Sequence, residues 1–406
     1  MEEAPVMRLV VWRALFVAGF LAGIAGAQRH SDDAPPNAPR NCPYCFGKVE
    51  LMAAGDLVSH GPFPFGKTDT NGIDDLLPTL EILWLETAHF RIGLALSPYR
   101  PKQDEREKIR AELTELATIY EEINPKTKVI DPWLRLHLYG ARLEKTWKRW
   151  LEIMQVDESD FPPPGKKWIF GTVYMGEGPF MGQPDKYEVL VLPTPQHQIA
   201  FLRDQFGLSH PVTQRWNVLE RGALTVTTNL VENGLRDDQA LHCHLAFNTA
   251  INLLDGYKFY AYDTPRWITE GLGHYIEREI NPRFNSFDAS EGSAGINKVD
   301  DDWDGSVRKL VLGSDAPRLA ELVALNSFAE FTLRDHYACW SMTAFMIETN
   351  PDGYACLNAN LHGIKGPDGT GDGSKIREKH REALKECFGM TYPEFDEAWR
   401  AWAASQ

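Results

Sequence analysis

The sequence predicts an α+β protein, a mixed α/β N-terminal region followed by a mostly helical one, and three observations predict it. Candidate strands fall before about residue 230 and alternate with helical segments, whereas beyond Asp237 the apolar spacing is helical almost throughout. With 43% hydrophobic residues, 12 Trp, 20 Phe and 13 Tyr among 406, the chain has material for a substantial core. The length prior allows two to three units. Acidic residues outnumber basic ones, 57 to 42, and a net charge of −15 argues against a protein that tracks nucleic-acid phosphates.

Taken in order, Met1 to Val6 is acidic, and from Met7 come Arg8, Arg13, an apolar run from Ala14 to Ile24, and the small residues Ala25, Gly26 and Ala27. These are the parts of a secretory signal starting at Met7 and cut after Ala27. A membrane anchor is the alternative, but the run is short and Gly-rich for a span. No later stretch approaches membrane length, so no span is expected after signal removal, and export to the periplasm or exterior is. Six cysteines in an oxidising compartment could pair in several ways, and the sequence does not choose among them.

Residues 28–74 are assigned to a leader, Pro-rich at its start and carrying Cys42-Pro-Tyr-Cys45. The mixed α/β region is placed at 75–235. It opens with helical spacing from Asp75 to Leu85 and a strand from Thr87 to Leu96. An amphipathic helix follows over Glu105 to Ile123 and a Trp-rich one from Pro132 to Met154. Lys186 to Leu192 reads as a buried strand, Gln196 to Phe206 as the helix after it, and Gly222 to Thr228 as another strand. The helical domain, 236–406, contains expected loops at 281–304 and 366–373. Thr391 and Glu394 form a capping box that opens the last helix.

Chemistry-bearing residues concentrate in two adjacent helical segments. In the first, His244 shares a stripe with Asn248, one turn on, while His242 points roughly 200° away from His244. In the second, Glu270 and His274 are again one turn apart and can both face the first helix.

This arrangement resembles the C-terminal half of the gluzincin metallopeptidases, especially the bacterial peptidase-MA-like group. There a helix bearing His-Glu-x-x-His is followed by a second helix that begins Trp-x-x-Glu-Gly-Leu-x-x-Tyr and supplies the third zinc ligand. Trp267, Glu270, Gly271, Leu272 and Tyr275 match that second helix. His336-Tyr-Ala-Cys-Trp-Ser341 and the closing Phe388-Gly389, Phe395 and Trp399 follow in the expected order. The resemblance covers roughly residues 85–404 and is strongest after 236. It implies His244 as first ligand and Glu270 as third, but Leu245 stands where the catalytic Glu belongs and Asn248 where the second His belongs.

A zinc peptidase needs three protein ligands, an open fourth position and a base for the bound water. Leu245 cannot take a proton, and the Asn248 amide is a poor zinc donor. Two readings follow. In the first, a peptidase-like fold has lost catalysis and binds a peptide or cell-envelope component in its inter-domain groove, with His244, Asn248 and Glu270 as a hydrogen-bonded remnant and no cofactor. In the second, a metal-dependent hydrolase or other metalloenzyme uses rearranged ligands, His244, Glu270 and His274, which suit zinc or non-haem iron. The plainer alternative is that His274 and Glu270 simply pair with each other.

Cys42 and Cys45 have a dithiol spacing. Without a preceding strand they read as a local disulfide or as half of a structural metal site with His60, ahead of thiol redox catalysis. Asp300, Asp302, Asp304 and Gly305 copy the first half of a calcium loop, but Val311 replaces the bidentate Glu. The expectation there is a solvated acidic loop leading into a helix. Gly366 to Lys375 reads as a flexible insertion.

Overall fold

The computed structural model describes residues 38–260, 264–287, 302–313, 315–325 and 327–406. The signal expectation and Asp300 lie outside these residues. Pro36–Gln406 forms one compact unit. The architecture is α+β: all named strands end by Asn229, and about half of the residues are helical.

The N-terminal part contains α1 (Val49–Ala54), β1 (Leu57–Ser59), the small ribbon β2 (Pro64–Phe65) and β3 (Thr68–Asp69), and α2 (Thr70–Leu76). It continues through β4 (Leu83–Thr87), β5 (Phe90–Leu94), α3 (Arg106–Ala117), α4 (Pro132–Met154), β6 (Tyr187–Leu192), α5 (Pro195–Phe206), β7 (Gln214–Val218) and β8 (Ala223–Asn229). The main sheet has six strands in the order β1-β4-β5-β6-β8-β7. Its centre, β5-β6-β8, is parallel, and both flanks are antiparallel.

Strand alternation divides the sheet between two cores. Tyr187, Val189 and Val191 join the large cluster shared with α4 and α6 (Asp238–Gly256). Leu190 and Leu192 point into a smaller cluster with Phe201 and Leu202 of α5 and with Phe65, Ile73 and Trp84. Covering both faces of a parallel centre is what buries every residue of β6, apolar except for Glu188, in place of an alternating pattern.

The remaining elements are α7 (Arg266–Ile280), α8 (Trp303–Leu312), α9 (Leu319–Ala324), α10 (Leu333–Thr349), α11 (Pro351–Leu361), α12 (Ile376–Phe388) and α13 (Tyr392–Ser405). They share the large core with the sheet region, which runs from Cys42 to Ala403. A disulfide joins Cys356 to Cys387, and the other four cysteines are buried and in no disulfide. No helix among the described residues is long and apolar enough to cross a membrane.

Helix α4 occupies the predicted Pro132 to Met154, started by Asp131, whose side chain accepts from Leu134 N at 3.0 Å, and by Pro132 at the first helical position. Three local expectations differ. No helix spans Asp75 to Leu85: α2 ends at Leu76, and β4 takes the chain from Leu83, with Leu83 and Leu85 facing one core and Trp84 the other. The stretch 46–74, assigned to the leader, supplies β1 to the sheet and Phe63, Phe65 and Ile73 to the second core. Strand β7 has no counterpart in the sequence reading, since Gln214-Arg-Trp-Asn-Val218 carries little apolar pattern. At the acidic loop, Asp302 is the N-cap of α8 and accepts from Gly305 N at 2.9 Å.

Candidate functional site

Helices α6, α7 and α10 pack together, and glycines decide how closely. A Cβ on Gly271 would come within 2.2 Å of Thr343 Oγ1 and 2.6 Å of the Cys339 carbonyl on α10; one on Gly273 would come within 2.7 Å of the Phe247 ring on α6. The Glu-Gly-Leu-Gly-His run therefore lets α7 approach a helix on each side.

That approach assembles a buried group. Glu270, His274 and His336 each offer one ligand atom, and the three atoms lie within 4.8 Å of one another. His274 Nε2 is 2.9 Å from His336 Nδ1 and 3.9 Å from Glu270 Oε2, and His336 Nδ1 is 3.7 Å from that same oxygen. Behind His274, Nδ1 is hydrogen-bonded to Glu277 Oε1 at 2.7 Å, and Glu277 in turn accepts from Ser286 N at 3.0 Å. This is the arrangement that orients an imidazole ligand, one ring nitrogen held by a carboxylate and the other left for a metal. Phe247, Phe287 and Trp303 surround His274, and Phe331 stands beside His336. Burial pushes His274 well below the usual imidazole range, with help from the charges of His336 and Arg278, and pushes the Glu277 carboxyl well above its own.

The sequence had grouped His244 with Glu270 and His274. The structure groups His336 with them, and His244 is not a member. His244 Nε2 lies instead 2.8 Å from Thr213 Oγ1 and 3.3 Å from Asn248 Nδ2. Asn248 Oδ1 accepts from Arg215 Nη1 at 2.8 Å. His336 was noted only as part of a downstream pattern; its position in the first turn of α10, facing α7, is a tertiary fact with no local signal.

His244 and Asn248 line a groove of about 490 Å³ between edge strand β7, α6 and the start of α7. Arg215 and Arg266 both lie over the Phe328 ring, at 5.8 and 4.6 Å from its centroid, and Asp255 also lines the groove. Phe247 and Phe287 belong both to the groove wall and to the packing around His274.

A second buried group lies at the other end of the sheet: Cys42, Cys45, His60 and His137. His60 is the partner that the sequence offers the cysteines, and His137, from the middle of α4, is brought in by the fold. Both cysteines are fully buried, which removes the exposure that thiol redox catalysis requires. A hydrogen bond from Cys42 and backbone N–H groups pull the Cys45 thiol down to about 7 against the opposing effect of burial.

Buried His, Cys and Glu groups in this fold could thus hold metal ions at two places. No known protein family matches the chain, and no curated protein matches it.

Proposed function

We propose that the chain is an exported, gluzincin-like protein that has lost peptidase chemistry and uses the groove between β7 and α6 to bind a peptide. The observation that carries this reading is the state of the groove face of α6. There His244 is hydrogen-bonded with Thr213 and Asn248, and the Asn248 oxygen receives the Arg215 guanidinium where a peptidase of this kind would hold a cation. Leu245 stands where a peptidase of this kind carries its base, and an alkyl side chain cannot take a proton from water. Strand β7 ends the sheet, so an extended peptide can pair along it. Arg215 and Arg266 favour an acidic side chain or a terminal carboxylate there. The Cys356–Cys387 disulfide agrees with an oxidising compartment.

The test is to mix the chain with a proteolytic digest of cell-envelope proteins, recover the complex and identify retained peptides by mass spectrometry, beside Arg215→Ala and Arg266→Ala. Retention of intact, acid-bearing peptides by the parent and loss of at least tenfold in affinity in the variants is expected. Failure to retain any peptide ends the reading.

A second reading has its own observation. Glu270, His274 and His336 are two imidazoles and a carboxylate with a second carboxylate behind one imidazole, a donor set that suits zinc or non-haem iron. They would hold the ion, which would supply Lewis acidity next to the groove wall. Cleavage of peptides that stops with a chelator and with Glu270→Gln would favour this reading over the first.

A further inference from the structure

We propose that Cys42, Cys45, His60 and His137 form a closed, tetrahedral zinc site that fastens the N-terminal segment to the sheet and to α4. Their ligand atoms lie within 4.8 Å of one another, with Cys42 Sγ 3.1 Å from His137 Nε2 and Cys45 Sγ 3.1 Å from His60 Nε2. Tetrahedral zinc bonded to sulfur and nitrogen separates its donors by about 3.3–3.8 Å, so the two sulfur–nitrogen pairs at 3.1 Å must open by about half an ångström and the other separations close by at most about 1 Å to take the ion.

The local backbone presents the cysteines together. Phe46 N donates to Cys42 O at 3.0 Å and Lys48 N to Cys45 O at 2.8 Å, closing a tight turn. Phe46 and Gly47 both have positive φ, 54° and 62°. Two consecutive left-handed residues roll the chain around the sulfur of Cys45 and aim the Gly47 N–H at it.

His60 discriminates between a metal and a disulfide. Its Nδ1 is 2.8 Å from the Trp84 carbonyl oxygen, which can only accept. Nδ1 therefore carries a proton, and in a neutral ring this leaves Nε2 as a lone pair directed at Cys45. A Cys42–Cys45 disulfide has no proton to give that lone pair and would leave it buried and unsatisfied; a zinc ion bound to two thiolates satisfies it. The species that bind zinc here are two thiolates and two neutral imidazoles, so any thiol protons leave as the ion enters. Two sulfurs and two imidazoles in a tetrahedral set select zinc over the harder divalent cations.

The site has no room for a substrate. None of the four residues exceeds 4% exposure, and aromatic rings close around it: Trp133 at 5.3 Å from His60, Tyr120 and Tyr44 at 4.8 and 5.9 Å from His137. Four protein donors leave no open coordination position, so the ion is structural. Its role follows from what it joins: a six-residue helix and a three-residue strand on one side, β4 and α4 on the other.

The test uses the full chain, expressed with zinc and purified without an affinity metal, and reads metal content by mass spectrometry beside the absorption spectrum after exchange with cobalt(II). One equivalent of zinc that persists in Glu270→Gln and is lost in Cys42→Ser is expected. The cobalt form should show thiolate-to-cobalt charge transfer in the near ultraviolet and the strong visible bands of a tetrahedral ion. Because Cys42→Ser could fail to fold, the cobalt spectrum of the parent decides by itself: an oxygen-and-nitrogen spectrum without thiolate charge transfer overturns the proposal. So does a peptide map in which Cys42 is joined to Cys45. Metal at Glu270 carries no sulfur signature, so the two sites are read independently.

Discussion

His274 and His336 stand 62 positions apart in the chain and meet at 2.9 Å, because Gly271 allows α10 to lie against α7. Replacing Gly271 by Ala puts a methyl group 2.6 Å from the Cys339 carbonyl oxygen, and a backbone oxygen cannot move aside cheaply. Alanine gains about 1 kcal/mol of helix propensity, and overpacking costs about 1–3 kcal/mol or more, so a net loss of stability is expected. Urea unfolding of Gly271→Ala checks it; a midpoint at or above that of the parent would show that α7 and α10 are less tightly apposed.

Glu277 touches neither groove nor ligand atom of the metal set, yet it holds His274 in orientation. If an ion binds Glu270, His274 and His336, Glu277→Gln should weaken it about 10–100-fold. Competition with a graded series of chelators measures this, and unchanged affinity would place the ion elsewhere.

Asp238, at the start of α6, is buried against Arg135 and Arg142 of α4, at 3.3 and 2.8 Å, and accepts from Tyr139 Oη at 2.9 Å. Burial alone would raise its pKa, but the two guanidiniums win and hold it below the usual carboxylate value. Asp238→Asn leaves two buried cations short of a partner and should cost about 3–5 kcal/mol, read from denaturant midpoints. The stabilisation from a lowered carboxylate is fully present above the unfolded pKa and disappears as pH falls through the folded one. At neutral pH the contribution should therefore be insensitive to pH.

Two histidines set a different acid limit. Burial pulls His362 down to about 4 and His380 to about 3, the latter also accepting from Trp267 Nε1 at 3.2 Å. Both are neutral in the fold and protonate more readily once unfolded. Stability should thus be level above about pH 6.5 and fall below it by about 1.4 kcal/mol per pH unit for each, until the folded pKa is reached. Thermal melts of His380→Gln against the parent between pH 7 and 4 check the slope: the variant should lose less on acidification.

What the sequence made legible was whatever a short window encodes. The α4 boundaries follow from an Asp-Pro start and an apolar stripe, and β6 from a run of β-branched and apolar residues. Strand β7 escaped because an edge strand beside a groove is half exposed and needs no apolar alternation. At the site, the approach of Glu270 and His274 to 3.9 Å is legible in the sequence, since helix geometry alone puts them one turn apart. His336 and His137 were missed because their places depend on how helices distant in sequence are apposed. The sequence puts His244 in the metal set only through the resemblance of its helix to a peptidase first helix, whereas in the fold the hydroxyl of Thr213, just ahead of β7, engages it.

Helix α4 works as a two-sided brace. Arg135, Tyr139 and Arg142 grip the first turn of α6, while His137 faces the cysteine turn. The helix that carries His244 and Asn248 is thereby tied, through α4, to the cysteine turn at the far margin of the sheet. The cysteine turn and the first turn of α6 hold the same helix from two sides, His137 lying between Arg135 and Tyr139 along it.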